Sequence, residues 1–318
     1  MSETWTVLLP STIDPSGPDE LREFATFVSI DEYADEAALV ADADRFDAVI
    51  TRTVPLTAAF FDAADSLNVV VKHGAGVDHI DVDAATRNGV LVANTPGENT
   101  NAVAEHALTL LLAAKRQVVR ADAATRNADW RRHDFAGHEL SGRTLGLVGA
   151  GNAGRRLAEL VHGFGVSCVA YDPYVDSEDL PANVELLDSV SAVFEAADDV
   201  SVHVPLTDET RHVVGREELR ALPDDAVLVN TARGGVVDED ALCDALDSGA
   251  LAGAGVDVYE TEPPTADDPL LDQERAVLTQ HNAGVTVESA RAVSLAAADH
   301  VRTVYEGGRP KTALNDPK

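Results

Sequence analysis

Short apolar runs alternate with helical patterns along the chain. One series of candidate strands is Thr6–Leu9, Ala48–Thr51, Val69–Lys72 and Val90–Ala93. A second is Thr144–Val148, Ser167–Tyr171, Val200–Val204, Val227–Asn230, Gly253–Val258 and Val277–Thr279. Strands that alternate with helices form βα units on a parallel sheet. Ten such runs are more than one compact sheet comfortably holds, so the pattern predicts two α/β domains.

Two longer helical patterns break the rhythm. The first covers Asn101–Asn127, with Val103, Ala107, Leu110, Leu111, Ala114 and Val118 at helical spacing, and the second covers Val287–Tyr305. One economical arrangement makes both helices bridges between the domains. Residues 1–100 with 285–318 then form one domain, and residues 101–284 the other. Pro263, Pro264 and Pro269 mark Tyr259–Arg275 as one long loop.

Composition adds a boundary on partners. The 318 residues are 45% hydrophobic, enough for substantial cores, yet 24 basic and 55 acidic residues leave a formal charge of −31. Only Lys72, Lys115, Lys311 and Lys318 are lysines, and the acids are dispersed. An ordinary acidic protein is one reading. Adaptation to concentrated salt is the other, and lysine depletion with scattered aspartate favours it, because ions must screen a compact state that repels itself. The charge argues against nucleic acid or an anionic membrane as partner, since phosphates need a basic footprint.

Cys168 and Cys243 fit no metal or redox spacing and are expected to be buried free thiols in a reducing compartment. No metal site is expected. The longest apolar stretch, Ala107–Ala114, is too short to span a bilayer, and no charged-then-apolar leader opens the chain. A cytoplasmic location is the expectation.

Candidate chemistry begins at Thr144–Gly154, where a strand runs into Gly149, Gly151 and Gly154 and then a helix, Arg155–Phe164. Gly149 makes the tight turn, Gly151 lets the backbone approach a pyrophosphate, and Gly154 lets the helix pack on the strand. The helix N-terminus offers free N–H groups to phosphates. Asp172 lies 21 residues after Gly151 at the end of the next strand, where an acid would bond the ribose hydroxyls. A carboxylate there repels a 2′-phosphate, so NAD is expected ahead of NADP.

Three further segments follow strands: Asn230–Gly235, Asp257–Pro264 and Gln280–Gly284. Ligands bind at such carboxyl ends in open α/β sheets. Through these segments the chain resembles the D-isomer-specific 2-hydroxyacid dehydrogenase family. The likeness extends to Gly74–Asp81, Asn94–Thr100, Ala104–His106, Trp130 with Phe135–Gly142, the glycine loop, and His203–Thr207 with Glu209–Arg211.

The resemblance implies two doubly wound parallel-sheet domains, a Rossmann NAD-binding domain (101–284) inserted into a flavodoxin-like substrate domain. It also implies that Arg233, Glu262 and His281 are catalytic. The chemistry agrees: a guanidinium binds a 2-oxo acid's carboxylate with paired donors, and a histidine can protonate the carbonyl oxygen. Glu262 would fix the ring's tautomer and favour the imidazolium. Singly, Arg233 could pair with any surface acid, Glu262 could be one more loop acid, and His281 could be structural. In this order after these strands, the catalytic reading prevails.

By the same resemblance Ala75 and Gly76 would present N–H groups to the substrate carboxylate, with Arg52 a second candidate contact. Asp257 would bond the nicotinamide amide. Asn152, Ala153, Val204, Thr231, Ala232 and Gly284 would line the cofactor. A homodimer packed through Asn101–Asn127 and Trp130 is implied. Val71-Lys72-His73 and Asn282 stand where the family more often has small or apolar residues. Hydroxypyruvate, glyoxylate, pyruvate and 3-phosphohydroxypyruvate all stay open as substrates. Glu262 argues against a formate dehydrogenase, which pairs its histidine with glutamine. An NADH-sensing corepressor-like binding protein of the same fold is the alternative from another class.

Overall fold

A computed structural model of the protein describes residues 4–317. The chain divides into two compact units, Met1–Asn99 with Val285–Lys318, and Thr100–Gly284.

The first unit holds a five-stranded sheet: β1 (Trp5–Leu9), β2 (Ala25–Ser29), β3 (Ala48–Thr51), β4 (Val69–Lys72) and β5 (Leu91–Asn94). Its order is β2-β1-β3-β4-β5 and every pairing is parallel, the flavodoxin-like arrangement. β3 and β4 are buried at all four positions, because helices cover both faces of a parallel sheet. One face packs on Phe46, Phe60 and Phe61. The other packs on Ala297, Ala298 and Val301 of the helix Val287–Tyr305. That helix has the expected bounds, and a Thr286–Ser289 capping box starts it.

The second unit holds seven strands: β6 (Thr144–Val148), β7 (Ser167–Tyr171), β8 (Val184–Leu186), β9 (Asp199–Val202), β10 (Val227–Asn230), β11 (Gly253–Val256) and β12 (Ala276–Leu278). The order is β12-β11-β10-β9-β6-β7-β8, again all parallel. The order reverses at β6, which starts the doubly wound sheet and creates its switch point.

Two strands escape the sequence pattern, β2 and β8. Both lie at sheet edges and are only partly buried, so neither carries the continuous apolar run that marks a strand covered on both faces. The helix expected over Asn101–Asn127 is two helices, Thr100–Lys115 and Val118–Arg126. The break has a tertiary cause. Gln117 turns left-handed at φ 52°, the Lys115 carbonyl accepts from His138 N–H at 3.1 Å, and a Cβ on Gly137 would overlap that carbonyl.

The Lys115 side chain explains why the chain turns there. Its ammonium lies 2.6 Å from Asp199 Oδ1, with side chains only 1% and 2% exposed. Asp199 also accepts from Val227 N–H at 2.8 Å and Arg143 Nε at 3.1 Å. Arg143 in turn clasps Asp225 at 2.8 and 3.0 Å. The network ties the helix end to the starts of β6, β9 and β10. Lys72 is buried as well, so two of the four lysines lie inside, and Lys318 lies outside the described residues.

Cys168 and Cys243 are free and buried. Burial pushes the Cys168 thiol up to about 12, and burial with nearby acids pushes Cys243 up to about 11. Neither is a poised thiolate. Among the described residues no helix is long and apolar enough to cross a membrane.

Candidate active site

The glycine loop between β6 and the helix Asn152–His162 has three glycines in three different situations. Gly149 is left-handed at φ 98°, and a Cβ there would lie 2.9 Å from the His203 carbonyl and Val204. A Cβ on Gly154 would overlap the Gly149 carbonyl. A Cβ on Gly151 would meet nothing within 4 Å. Two glycines are therefore required by packing. The third opens onto free space at a helix N-terminus, where a pyrophosphate could approach the backbone.

Asp172 sits directly beside this loop. Its Oδ2 accepts from Ala150 N–H and its Oδ1 from Tyr174 N–H, both at 2.9 Å. The two bonds fix the carboxylate and leave each oxygen a lone pair. Thr231 is buried, and its Oγ1 makes no hydrogen bond among the described residues. A buried hydroxyl without a partner is costly, so a ligand that bonds it gains from the match. Ala232 is buried beside it, Val204 is partly buried, and Asn152 and Ala153 open the helix with Asn152 exposed. These residues fit a dinucleotide.

Arg233, Glu262 and His281 follow the ends of β10, β11 and β12, which are sheet neighbours. Glu262 Oε2 lies 2.6 Å from His281 Nδ1, a charge-assisted distance, and Glu262 Oε1 accepts from Tyr259 N–H at 3.1 Å. Burial pushes the Glu262 carboxyl up. The bonds from His281 and Tyr259, with the charges of His281 and Arg233, outweigh it and hold the group below its ordinary value. Arg233 is half-buried, and its Nη1 donates to the Ala232 carbonyl at 2.7 Å.

His281 has φ 50°, a left-handed conformation uncommon outside glycine and concentrated at sites where the surroundings enforce it. Asp257 enforces it here. Its carbonyl accepts from His281 N–H at 2.7 Å. Its fully buried carboxylate accepts from Thr279 Oγ1 (2.5 Å), Asn282 N–H (3.0 Å) and Ala283 N–H (2.8 Å). His106 Nε2 lies 3.0 Å from Thr279 Oγ1 and extends the network. Burial raises the Asp257 carboxyl, and these donors more than reverse that. Asn282 thus occupies its position through its backbone, and Oδ2 of Asp257 keeps room for one further donor. Gly284 closes this unit.

Ala75, Gly76 and Arg52 lie in the first unit, at the ends of β4 and β3. Gly74 is left-handed at φ 129° and its N–H donates to Thr95 Oγ1 at 2.8 Å. Asn94 holds the Ala75 carbonyl at 2.7 Å. The Ala75 and Gly76 N–H groups make no hydrogen bond among the described residues. Lys72 is not aimed at solvent: its ammonium donates to the Arg52 carbonyl and, at 3.4 Å, to that of His73. Burial and the neighbouring Arg52 and Lys72 charges push His73 down to about 4, so its ring is neutral.

His212, Glu239 and Glu260 also meet at this site and carried no signal as functional residues. Each is one acid or histidine among many in the sequence, and only the packing of three loops joins them.

Residues 108–283 match the model of the D-isomer specific 2-hydroxyacid dehydrogenase NAD binding domain. The chain is 36% identical over 296 residues to D-3-phosphoglycerate dehydrogenase of Methanocaldococcus jannaschii, covering 93% of this chain but 55% of that protein. It is 38% identical over 267 residues to hydroxypyruvate reductase of Thermotoga maritima, covering 83% and 86%. Its fold is similar to that of an NADPH-dependent glyoxylate/hydroxypyruvate reductase from Sinorhizobium meliloti in complex with NADP and malonate. The TM-score is 0.87 at 33% identity, covering 99% of this chain and 97% of that one. The chain therefore spans about half the length of the phosphoglycerate dehydrogenase it matches.

Proposed function

The chain belongs to the D-isomer-specific 2-hydroxyacid dehydrogenase family, and from that premise we propose that it is an NAD-dependent oxidoreductase of small D-2-hydroxy acids. The observation that carries the reading is the 2.6 Å pair of Glu262 and His281. Reduced nicotinamide, when bound, supplies the hydride that reaches the substrate's carbonyl carbon. His281 gives the carbonyl oxygen its proton from Nε2. The Glu262 carboxylate at Nδ1 sets that tautomer and stabilises the imidazolium before transfer. In the reverse direction the same ring removes the hydroxyl proton. Arg233 binds the substrate carboxylate with its fork. Gly149, Gly151, Asn152, Ala153, Gly154, Val204, Thr231, Ala232, Asp257 and Gly284 would hold the cofactor, with Asp172 on the ribose.

The disposition of the basic residues in the first unit supports a substrate without phosphate. Lys72 is committed to two carbonyls and His73 is neutral, which leaves Arg52 as the cation of that group for a second anion. Glyoxylate and hydroxypyruvate therefore stand ahead of 3-phosphohydroxypyruvate. Trp130 is 79% exposed, with Val118 and Val119 also exposed, an apolar surface suited to a two-fold dimer. The dispersed acids and scarce surface lysine support a salt-adapted protein.

The test is NADH oxidation against a panel of 2-oxo acids in molar potassium chloride, with His281→Ala as control. The variant should lose roughly 10²–10⁴-fold in kcat while still binding NADH. A protein that binds NADH and turns over none of the panel would be a sensor rather than an enzyme.

A further inference from the structure

Glu262 can serve His281 only if its own loop is held in place, and the loop's anchor lies outside the catalytic residues. Glu239, the first residue of the helix Glu239–Ser248, accepts the Glu260 N–H on Oε1 at 2.7 Å. His212 Nε2 lies 2.9 Å from Glu260 Oε1, and Glu239 N–H lies 3.4 Å from the same oxygen. His212 is left-handed at φ 52°, and its N–H donates to the Gly235 carbonyl at 2.8 Å. A Cβ on Gly234 would overlap the backbone joining Tyr259 to Glu260, so the two loops are in direct contact. The loop after β10 carries Arg233 and the loop after β11 carries Glu262. A chain of bonds from His212 through Glu260 to Glu239 locks them together.

We propose that Glu239 and His212 are positioning residues, which through Glu260 fix the loop that aims the Glu262 carboxylate at His281. This rests on the acid–base reading of Glu262 and His281. Neither residue reaches the reacting atoms. Removing the Glu239 acceptor gives the Glu260 N–H to water and frees a loop in which Glu262 is only two residues further on. A misplacement of about 1 Å costs on the order of 10²-fold in rate, and partial relaxation should cost about tenfold.

Two readouts test it. Glu239→Ala should lower kcat about tenfold and leave NADH affinity unchanged, whereas Glu239→Gln keeps an acceptor oxygen and should restore turnover. Independently of any substrate, the proton between His281 Nδ1 and Glu262 should give a downfield NMR resonance, assigned by its loss in His281→Ala. It should weaken or shift upfield in Glu239→Ala and persist in Glu239→Gln. If Glu239→Ala does not fold, His212→Asn, too short to reach Glu260, should produce the same loss. A Glu239→Ala protein with wild-type kcat and an unchanged resonance overturns the proposal. So does equal loss in the Ala and Gln variants. If no 2-oxo acid is turned over, the functional reading fails while the resonance still decides this one. A wild-type protein lacking the resonance overturns it too.

Discussion

Replacing Lys115 by Met removes the ammonium from the interior ion network while keeping the length of the side chain. The carboxylate left behind is the source of the cost. Breaking a buried pair at one partner costs roughly 3–5 kcal/mol, because the other charge stays buried without compensation. Asp199 keeps Arg143 Nε at 3.1 Å and the Val227 N–H at 2.8 Å, so the low end applies, about 3 kcal/mol. At about 2–4 °C per kcal/mol for a unit of this size, the melting temperature should fall by roughly 6–12 °C. The pair's burial sets a second expectation. Salt screens exposed charges and reaches buried ones far less. The gap between wild type and Lys115→Met should therefore stay constant across a potassium chloride series in which both proteins move together. Adding Asp199→Asn should recover part of the loss, since the amide still accepts from Val227 without a buried charge. Calorimetry or thermal fluorescence on the three proteins measures this. A loss below about 1 kcal/mol, the range of surface pairs, or a gap that closes in molar salt would refute the reasoning.

NADH should exceed NADPH in kcat/KM if Asp172, the proposed ribose ligand held by two backbone N–H groups, repels a 2′-phosphate, and Asp172→Ala should narrow the difference; equal values in the parent would remove Asp172 as the determinant. The melting temperature should rise with salt up to about 1 M, where the screening length is about 3 Å. A flat or falling curve would mean that the charge of −31 is no adaptation to salt. Light scattering at that salt should give a dimer mass, and Trp130→Ala with Val118→Ser should shift it toward monomer; a monomeric parent contradicts the apolar-surface argument. Burial and the charges of Glu260, Asp268 and Asp240 push Glu239 up to about 7 from an ordinary 4.5. Because the folded value is raised, its contribution to stability is complete below 4.5 and is lost as pH rises through about 7. Glu239→Gln has no such loss, so its melting temperature should gain on the parent's across that interval, and a pH-independent difference would contradict the assignment.

The sequence alone determined the two α/β units, most of the interior strands and the three catalytic candidates. The reason is that parallel strands covered on both faces must be largely apolar, as the runs Ala48–Ile50 of β3, Val69–Val71 of β4 and Val227–Val229 of β10 are, while glycines and candidate catalytic residues fall at strand ends where the chain leaves the sheet. Tertiary structure decided what depends on distant partners. The edge strands β2 and β8 form because a neighbour offers a ladder, not because their own residues demand it. The helix after Asn99 stops at Lys115, although its apolar pattern continues, because the lysine's charge and carbonyl are claimed by Asp199 and His138. Lys72 is a basic residue just before the Gly74 loop, and the fold spends its ammonium on the Arg52 and His73 carbonyls. His212, Glu239 and Glu260 are separated by tens of residues and meet only where three loops converge. A residue's type limits the bonds it can make, and the fold alone supplies the partner that selects among them.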